Sequence, residues 1–257
     1  MISPLANVHP KARIGKNVTI EAFATIYEDV EIGDDTFIHP NAVIYPDTII
    51  GKGCKIFPGA IIGIVNQDLK YKGEKSNTVI GNNTVIREYV TIHKGTADRM
   101  TTKVGDNCLI MCYTHLGHDC IVGNNVIIAN NGSLAGHITV EDFVVIEGVV
   151  AAQQFVRIGA HSFVAGASLV RKSIPPYVRV AREPLQFIGV NTIGLNRRGF
   201  DKDMIKQIED IYRIIFVRGH NLSNALEIVE NEMPDTEIRK QILDFIKSQK
   251  EGIIKGI

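Results

Sequence analysis

Residues 14–62 read IGKNVTIEAFATIYEDVEIGDDTFIHPNAVIYPDTIIGKGCKIFPGAII, and an isoleucine returns at every sixth position: Ile14, Ile20, Ile26, Ile32, Ile38, Ile44, Ile50, Ile56 and Ile62. The series begins earlier, at Ile2 and Val8, and resumes at Ile80, Ile86 and Ile92. It runs again from Val104 through Ile110, Leu116, Val122, Ile128, Leu134, Val140, Ile146, Ala152, Ile158 and Val164 to Val170. Four places after the aliphatic stands a small or β-branched residue, such as Val18, Ala24, Val30, Thr36, Ala42, Thr48, Cys54 and Ala60. A period of six fits neither an α-helix nor a simple alternating strand. It suits very short strands joined by sharp turns, with Gly, Asn or Asp where the backbone bends. Three hexads closing one coil make a triangular prism, in which residues eighteen apart stack at about one strand spacing, ~4.8 Å. The fold class is therefore all-β, a parallel β-helix of hexapeptide repeats. Cys54, Cys108 and Cys120 fall at the small inward position and are expected to be core-filling thiols.

The register breaks twice, over residues 64–79 and 93–103, which are polar and are expected to leave the prism as loops. After Val170 the segment SIPPYV is a stiff exit. From Phe200 the periodicity turns helical. Ile205, Ile208, Ile211, Tyr212, Ile215 and Phe216 form one stripe; Leu222, Leu226 and Val229 a second; Ile238, Ile242, Phe245 and Ile246 a third. The expected organisation is a β-helix over residues 1–190 and a small α-helical domain over 191–257.

Lys plus Arg and Asp plus Glu both number 28, so net charge favours neither nucleic acid nor a membrane surface as partner. Residues 171–218 hold ten basic against five acidic side chains, which suits an acidic protein partner or an ordinary solvated helical face. The N-terminus MISPLANVHP has no basic segment followed by an apolar run, and no stretch reaches the ~18 apolar residues of a membrane helix. With four cysteines and no export signal, the expectation is a cytoplasmic protein with free thiols and no membrane span.

The densest polar cluster is CYTHLGHDC (112–120), followed by LAGH (134–137) and QQF (153–155). Eighteen-residue stacking puts His118, Gly136 and Gln154 in one column and Asp119, His137 and Phe155 in the next. A histidine beside a glycine backbone pairs a group that takes a proton near neutral pH with an N–H able to donate to an oxyanion. Three alternatives remain at this level. A zinc site could form from His115, His118 and His137, as in carbonic anhydrases of hexapeptide fold. A sugar acetyltransferase using acetyl-CoA would need a donor slot closed after two carbons. A non-catalytic scaffold would show no turnover.

The strings GIVNQDLKY (63–71), VTIHKGT (90–96), HLGHDCIVGNN (115–125), LAGH (134–137), PPYV (175–178) and GVNTIGLNRRGF (189–200) resemble the signature segments of the acyl-carrier-protein-dependent UDP-N-acetylglucosamine O-acyltransferases of lipid A synthesis. The resemblance spans essentially the whole chain. It implies a left-handed coil, a homotrimer with active sites between subunits, and transfer of a (R)-3-hydroxyacyl group from acyl carrier protein to the sugar 3-hydroxyl. His118 then matches the general base, Asp119 the residue that orients it, and Gly136 the oxyanion donor. Gln67, Asp68, Lys70, His115, His137 and Gln154 match contacts in the substrate cleft, and Asn191, Arg197 and Arg198 the diphosphate end, where guanidinium forks suit phosphate oxygens. No metal or cofactor is implied, since the acyl chain arrives on the carrier's phosphopantetheine. Gly166 and Pro184 match the far end of the acyl groove; a glycine there leaves it open and points to a long chain. Gln153 departs from the pattern, replacing a histidine, which opens the choice between a 3-hydroxyl and a 3-amino acceptor.

Overall fold

The computed structural model describes residues 1–249 and 252–256. Strands of mostly two residues stack into three parallel sheets, one for each side of a prism. The first face holds nine strands from Asn7–Val8 to Leu169–Val170, the second eight from Arg13–Ile14 to Arg157–Ile158, and the third begins at Thr19–Ile20. The registers are those expected from the hexads: Thr25 pairs with Val43, and Ile127 with Val145. The architecture is the left-handed parallel β-helix with helices at its C-terminal end.

Within each two-residue strand the second side chain points inward. Ile20, Ile38, Ile56, Ile86, Ile110, Ile128, Ile146 and Val164 form one wall of a continuous core and are essentially inaccessible. Burying each such side chain contributes about 1.5–3 kcal/mol. Corners need a residue in the left-handed backbone region, and Asn17, Asp35, Asn41, Asn107 and Asn125 supply it with φ from 55° to 60°. Phe23, Tyr89, Tyr113 and Val149 hold the same conformation without such a local preference, because coil-to-coil hydrogen bonds on both sides dictate it. Cys54, Cys108 and Cys120 are buried free thiols, and burial pushes the Cys120 thiol up to about 12.

Two expectations about boundaries are corrected. The segments that leave the prism are 65–76 and 94–100, shorter than 64–79 and 93–103, because Ile61–Ile64, Asn77–Ile80, Thr91–His93 and Thr101–Val104 are strands. Thr78 pairs with both Thr48 and Thr102, so backbone pairing with neighbouring coils retains polar residues that hydrophobic pattern alone assigns to a loop. The exit after Val170 is an antiparallel hairpin, Val178–Ala181 with Gln186–Val190, that extends the third face.

Four helices follow: α1 (Thr192–Arg197), α2 (Lys202–Phe216), α3 (Leu222–Glu232) and α4 (Glu237–Ser248). Asn191, Asp201, Asn221 and Thr236 cap their N-termini with side-chain oxygens. The α2 and α4 stripes are buried as the periodicity required, but Leu222 is exposed and Ala225 makes the α3 contact in its place. The Tyr212 hydroxyl donates to the Pro176 carbonyl at 2.6 Å, fastening α2 to the prism exit.

Replacing the inward Ile110, fully buried, by Ala is expected to lower unfolding free energy by about 2–5 kcal/mol in denaturant titration. Replacing the exposed Lys103 on the preceding face should change it by no more than about 0.5 kcal/mol.

Candidate active site

Both excursions leave the prism at the same edge, the one joining the first face to the second. His118 and Asp119 turn that edge between His115–Leu116 and Ile121–Val122; Gly136 and His137 turn it one coil on, and Gln154 and Phe155 the coil after. Asp119 and His137 occupy left-handed corners, with φ of 58° and 63°.

His118 is 7% exposed and its Nδ1 lies 2.8 Å from Asp119 Oδ2. A proton on Nδ1 donated to that carboxylate leaves Nε2 with a free lone pair. Nε2 faces Gly136: a Cβ built there would sit 2.6 Å from it, so only glycine fits. Among the described residues no group accepts the Gly136 N–H. His137 meets the His118 ring edge-on at 4.8 Å and stacks on Phe155 at 4.6 Å. Its Nδ1 lies 3.0 Å from Asp98 Oδ2, close enough for charge pairing but without hydrogen-bond geometry.

Asp119 is wholly buried. Burial by itself would raise its carboxyl, yet the hydrogen bonds it accepts, from Thr96 and His118 above all, hold it below its ordinary value. A buried anion paired in this way keeps one imidazole orientation. The contacts from Thr96 and Arg99 come from residues 94–100, for which the sequence offers the family-like string VTIHKGT (90–96) but no role for Thr96, Asp98 or Arg99. The HKGT string was a weak signal, because stacking arithmetic does not extend into an excursion.

His115 lies beside the pair. Its Nδ1 is 2.8 Å from Thr91 Oγ1, and it meets the buried His93 ring edge-on at 4.7 Å. Burial, then the charges of His115 and His118, depress His93 to about 4. The donor atoms that converge are those of His118, Asp119 and His137, within 4.8 Å of one another. Among the described residues of one chain, these groups, and not the three histidines considered for zinc, are brought together.

Gln67, Asp68 and Lys70 lie on the 65–76 excursion, where Asp68 Oδ1 accepts from the Lys70 N–H. That loop is tied down by Asn66 Nδ2 and Ser76 Oγ, both donating to the Gly95 carbonyl. Gln154 and Gln153 are exposed on the site edge. Asn191, Arg197 and Arg198 are not beside His118 in one chain. They line a cavity of about 430 Å³ over Ile127, Val145 and Phe163 of the third face. Asn191 is buried and its amide is engaged twice, donating to the His161 carbonyl and capping α1, while Arg198 lies over the Phe143 ring. Gly166 donates its N–H to Glu147 Oε2, and Pro184 lines a separate apolar cavity with Leu169, Leu185 and Ile254.

A hexapeptide β-helix whose edge sets a carboxylate-held imidazole against a glycine backbone fits an acyltransferase of the hexapeptide-repeat class. Residues 29–64 and 101–136 match the model for bacterial transferase hexapeptides, and residues 174–254 the second domain of UDP-N-acetylglucosamine O-acyltransferase. An acyl-[acyl-carrier-protein]--UDP-N-acetylglucosamine O-acyltransferase from Aliivibrio fischeri is 46% identical across 99% of this chain and 100% of its own. One from Pseudomonas aeruginosa is 42% identical over 99% of each. The solved UDP-N-acetylglucosamine acyltransferase of Bacteroides fragilis superposes with a TM-score of 0.98 at 46% identity, covering 99% of this chain and 100% of that one. That of Francisella novicida gives 0.96 at 38%, covering 99% and 94%. The chain belongs to the UDP-N-acetylglucosamine O-acyltransferase family.

His161 is held at about 4 by burial and then by the charge of Arg198, and His93 also at about 4, against an ordinary 6.5. The unfolded chain takes up protons that the folded one refuses, so stability is expected to fall as pH drops from 6.5 toward about 4. Denaturant midpoints measured across that range check it; His161→Phe, which preserves the stack on Phe143 and Tyr177, should flatten the slope.

Proposed function

We propose that the protein transfers a (R)-3-hydroxyacyl group from acyl carrier protein to the 3-hydroxyl of UDP-N-acetylglucosamine, the first step of lipid A synthesis. The observation that carries this is His118, whose Nδ1 is held by Asp119 while Nε2 faces a glycine with an uncommitted N–H. Nε2 accepts the hydroxyl proton as the sugar oxygen attacks the thioester carbonyl. The Gly136 N–H donates to the developing oxyanion. Collapse of the tetrahedral intermediate breaks the carbon–sulfur bond, and the imidazolium returns its proton to the departing thiolate. A general base contributes roughly 10²–10⁴ in rate and an oxyanion donor roughly 10²–10³. The steps as written need neither metal nor cofactor beyond the phosphopantetheine carrying the acyl group.

The working unit is a homotrimer. Support comes from the outward side chains: the third face presents Phe37, Val85, Leu109, Ile127, Val145 and Phe163. Its edge with the first face carries exposed Leu5, Phe23, Tyr89, Tyr113 and Val149, with Tyr89 stacked on Tyr113 at 5.2 Å. An apolar edge of this kind suits a threefold axis. The third face of one copy then lies against the site edge of the next, uniting the His118 cluster with Arg197 and Arg198 of a neighbour. In that cleft Gln67, Asp68, Lys70, His115, His137 and Gln154 contact sugar and acyl chain, and Asn191 organises the arginine end as a helix cap. Gly166 and Pro184 lie toward the end of the acyl groove and leave room for a long chain. Acyl carrier protein as donor places the reaction in the cytoplasm, and the described residues include no helix long and apolar enough to cross a membrane.

Purified protein is expected to acylate UDP-N-acetylglucosamine from 3-hydroxyacyl-carrier-protein donors, with long chains preferred in a length panel. Activity on the 3-amino sugar alone would replace the acceptor, and preference for a short donor would overturn the groove assignment. His118→Ala should lose at least ~100-fold in kcat. Gly136→Ala, whose Cβ would strike the His118 ring, should lose activity while the trimer persists in sedimentation.

A further inference from the structure

The Asp119 carboxylate is clamped from the second excursion. Its Oδ1 accepts from the Thr96 N–H at 3.0 Å and the Arg99 N–H at 3.2 Å, and its Oδ2 from the Thr96 hydroxyl at 2.6 Å. The same Oδ2 faces His118 Nδ1. Thr96 is thus the residue that touches both carboxylate oxygens, and it is itself buried. We propose that Thr96 is a positioning residue for acyl transfer, acting through Asp119 to fix the direction in which His118 presents Nε2. This rests on His118 being the base.

The geometry explains why a clamp matters. A carboxylate turns easily about its last side-chain bond, and a turned carboxylate would carry the imidazole with it. With Oδ1 held by two amides and one side of Oδ2 by a hydroxyl, a single direction remains for His118. Threonine suits the place because its branched Cβ restricts the hydroxyl to few rotamers. The loop is fixed in turn: Arg99 Nη1 donates to the Asp119 carbonyl at 2.9 Å and to Thr139 Oγ1 on the following coil at 3.3 Å. From behind, the Asp119 N–H donates to Thr102 Oγ1 at 2.8 Å. The excursion therefore acts on the base as well as bordering the cleft.

The test is steady-state kinetics on the full-length protein with Thr96→Val, Thr96→Ala, Thr96→Ser, Asp119→Asn, His118→Ala and the Thr96→Val/Asp119→Asn double variant. Melting curves show which variants remain folded. Loss of one hydrogen bond to a charged group should lower kcat about 10–100-fold in Thr96→Val or Thr96→Ala. KM for the UDP-sugar should stay unchanged, and Thr96→Ser should recover most of the rate. Because Thr96 acts through Asp119, Thr96→Val should add no further loss to Asp119→Asn. Folded Thr96→Val and Thr96→Ala with wild-type kcat, beside an inactive His118→Ala, would overturn the inference alone, as would losses that multiply in the double variant. An active His118→Ala would overturn the base assignment and this inference with it.

Discussion

Every feature of this protein depends on the backbone hydrogen bonds that hold each coil over the one before it. Two-residue strands have almost no independent stability, and they persist only because each pairs on both sides in parallel register, as Ile110 does between Ile86 and Ile128. That stacking repeats side-chain positions from coil to coil, so a wall of aliphatics closes the interior without any helix to cover the sheets. It also imposes left-handed corners on Phe23, Tyr89 and Val149, residues that would not choose them alone. The local cost is offset by the ladder, which has no alternative register once the aliphatics face inward.

The same constraint builds the site. Stacking places the Gly136 backbone directly against the His118 ring, and a glycine is required because any side chain would occupy the imidazole's space. It places His137 edge-on to His118 and Phe155 under His137, so three successive coils contribute to one edge. Burial makes the arrangement electrostatically effective: Asp119 is wholly buried, and its hydrogen bonds select one imidazole orientation. The prism supplies rigid spacing, while the excursions supply donors that a regular hexad has no room to carry.

The edge bearing His118 and the face bearing Arg197 and Arg198 lie on different parts of one prism. A single chain therefore holds the His118 cluster and the two arginines apart. The apolar third face and the exposed Tyr89–Tyr113 ladder give a physical reason for several copies to bring them together. In the proposed trimer, association and acyl transfer would depend on the same surfaces.

The hexad period, the inward cysteines, the α2 and α4 stripes and the His118–Gly136 column were all legible in the sequence, because each follows from spacing alone. A fixed period converts residue number into position, and eighteen-residue arithmetic holds wherever the coil is unbroken. Where it breaks, the conversion fails. Thr96 reaches Asp119 across an excursion whose path depends on Asn66, Ser76 and Gly95 closing over one another. The hairpin after Val170 and the capping role of Asn191 were hidden for the same reason, since partners such as the His161 carbonyl are brought near only by the finished fold. The sequence by itself determined the prism, its core and the column that carries the imidazole, through periodicity and side-chain volume. Only the tertiary structure decided how Asp119 is held and which donors converge on it, because contacts made by loops are set by closure of the chain in space.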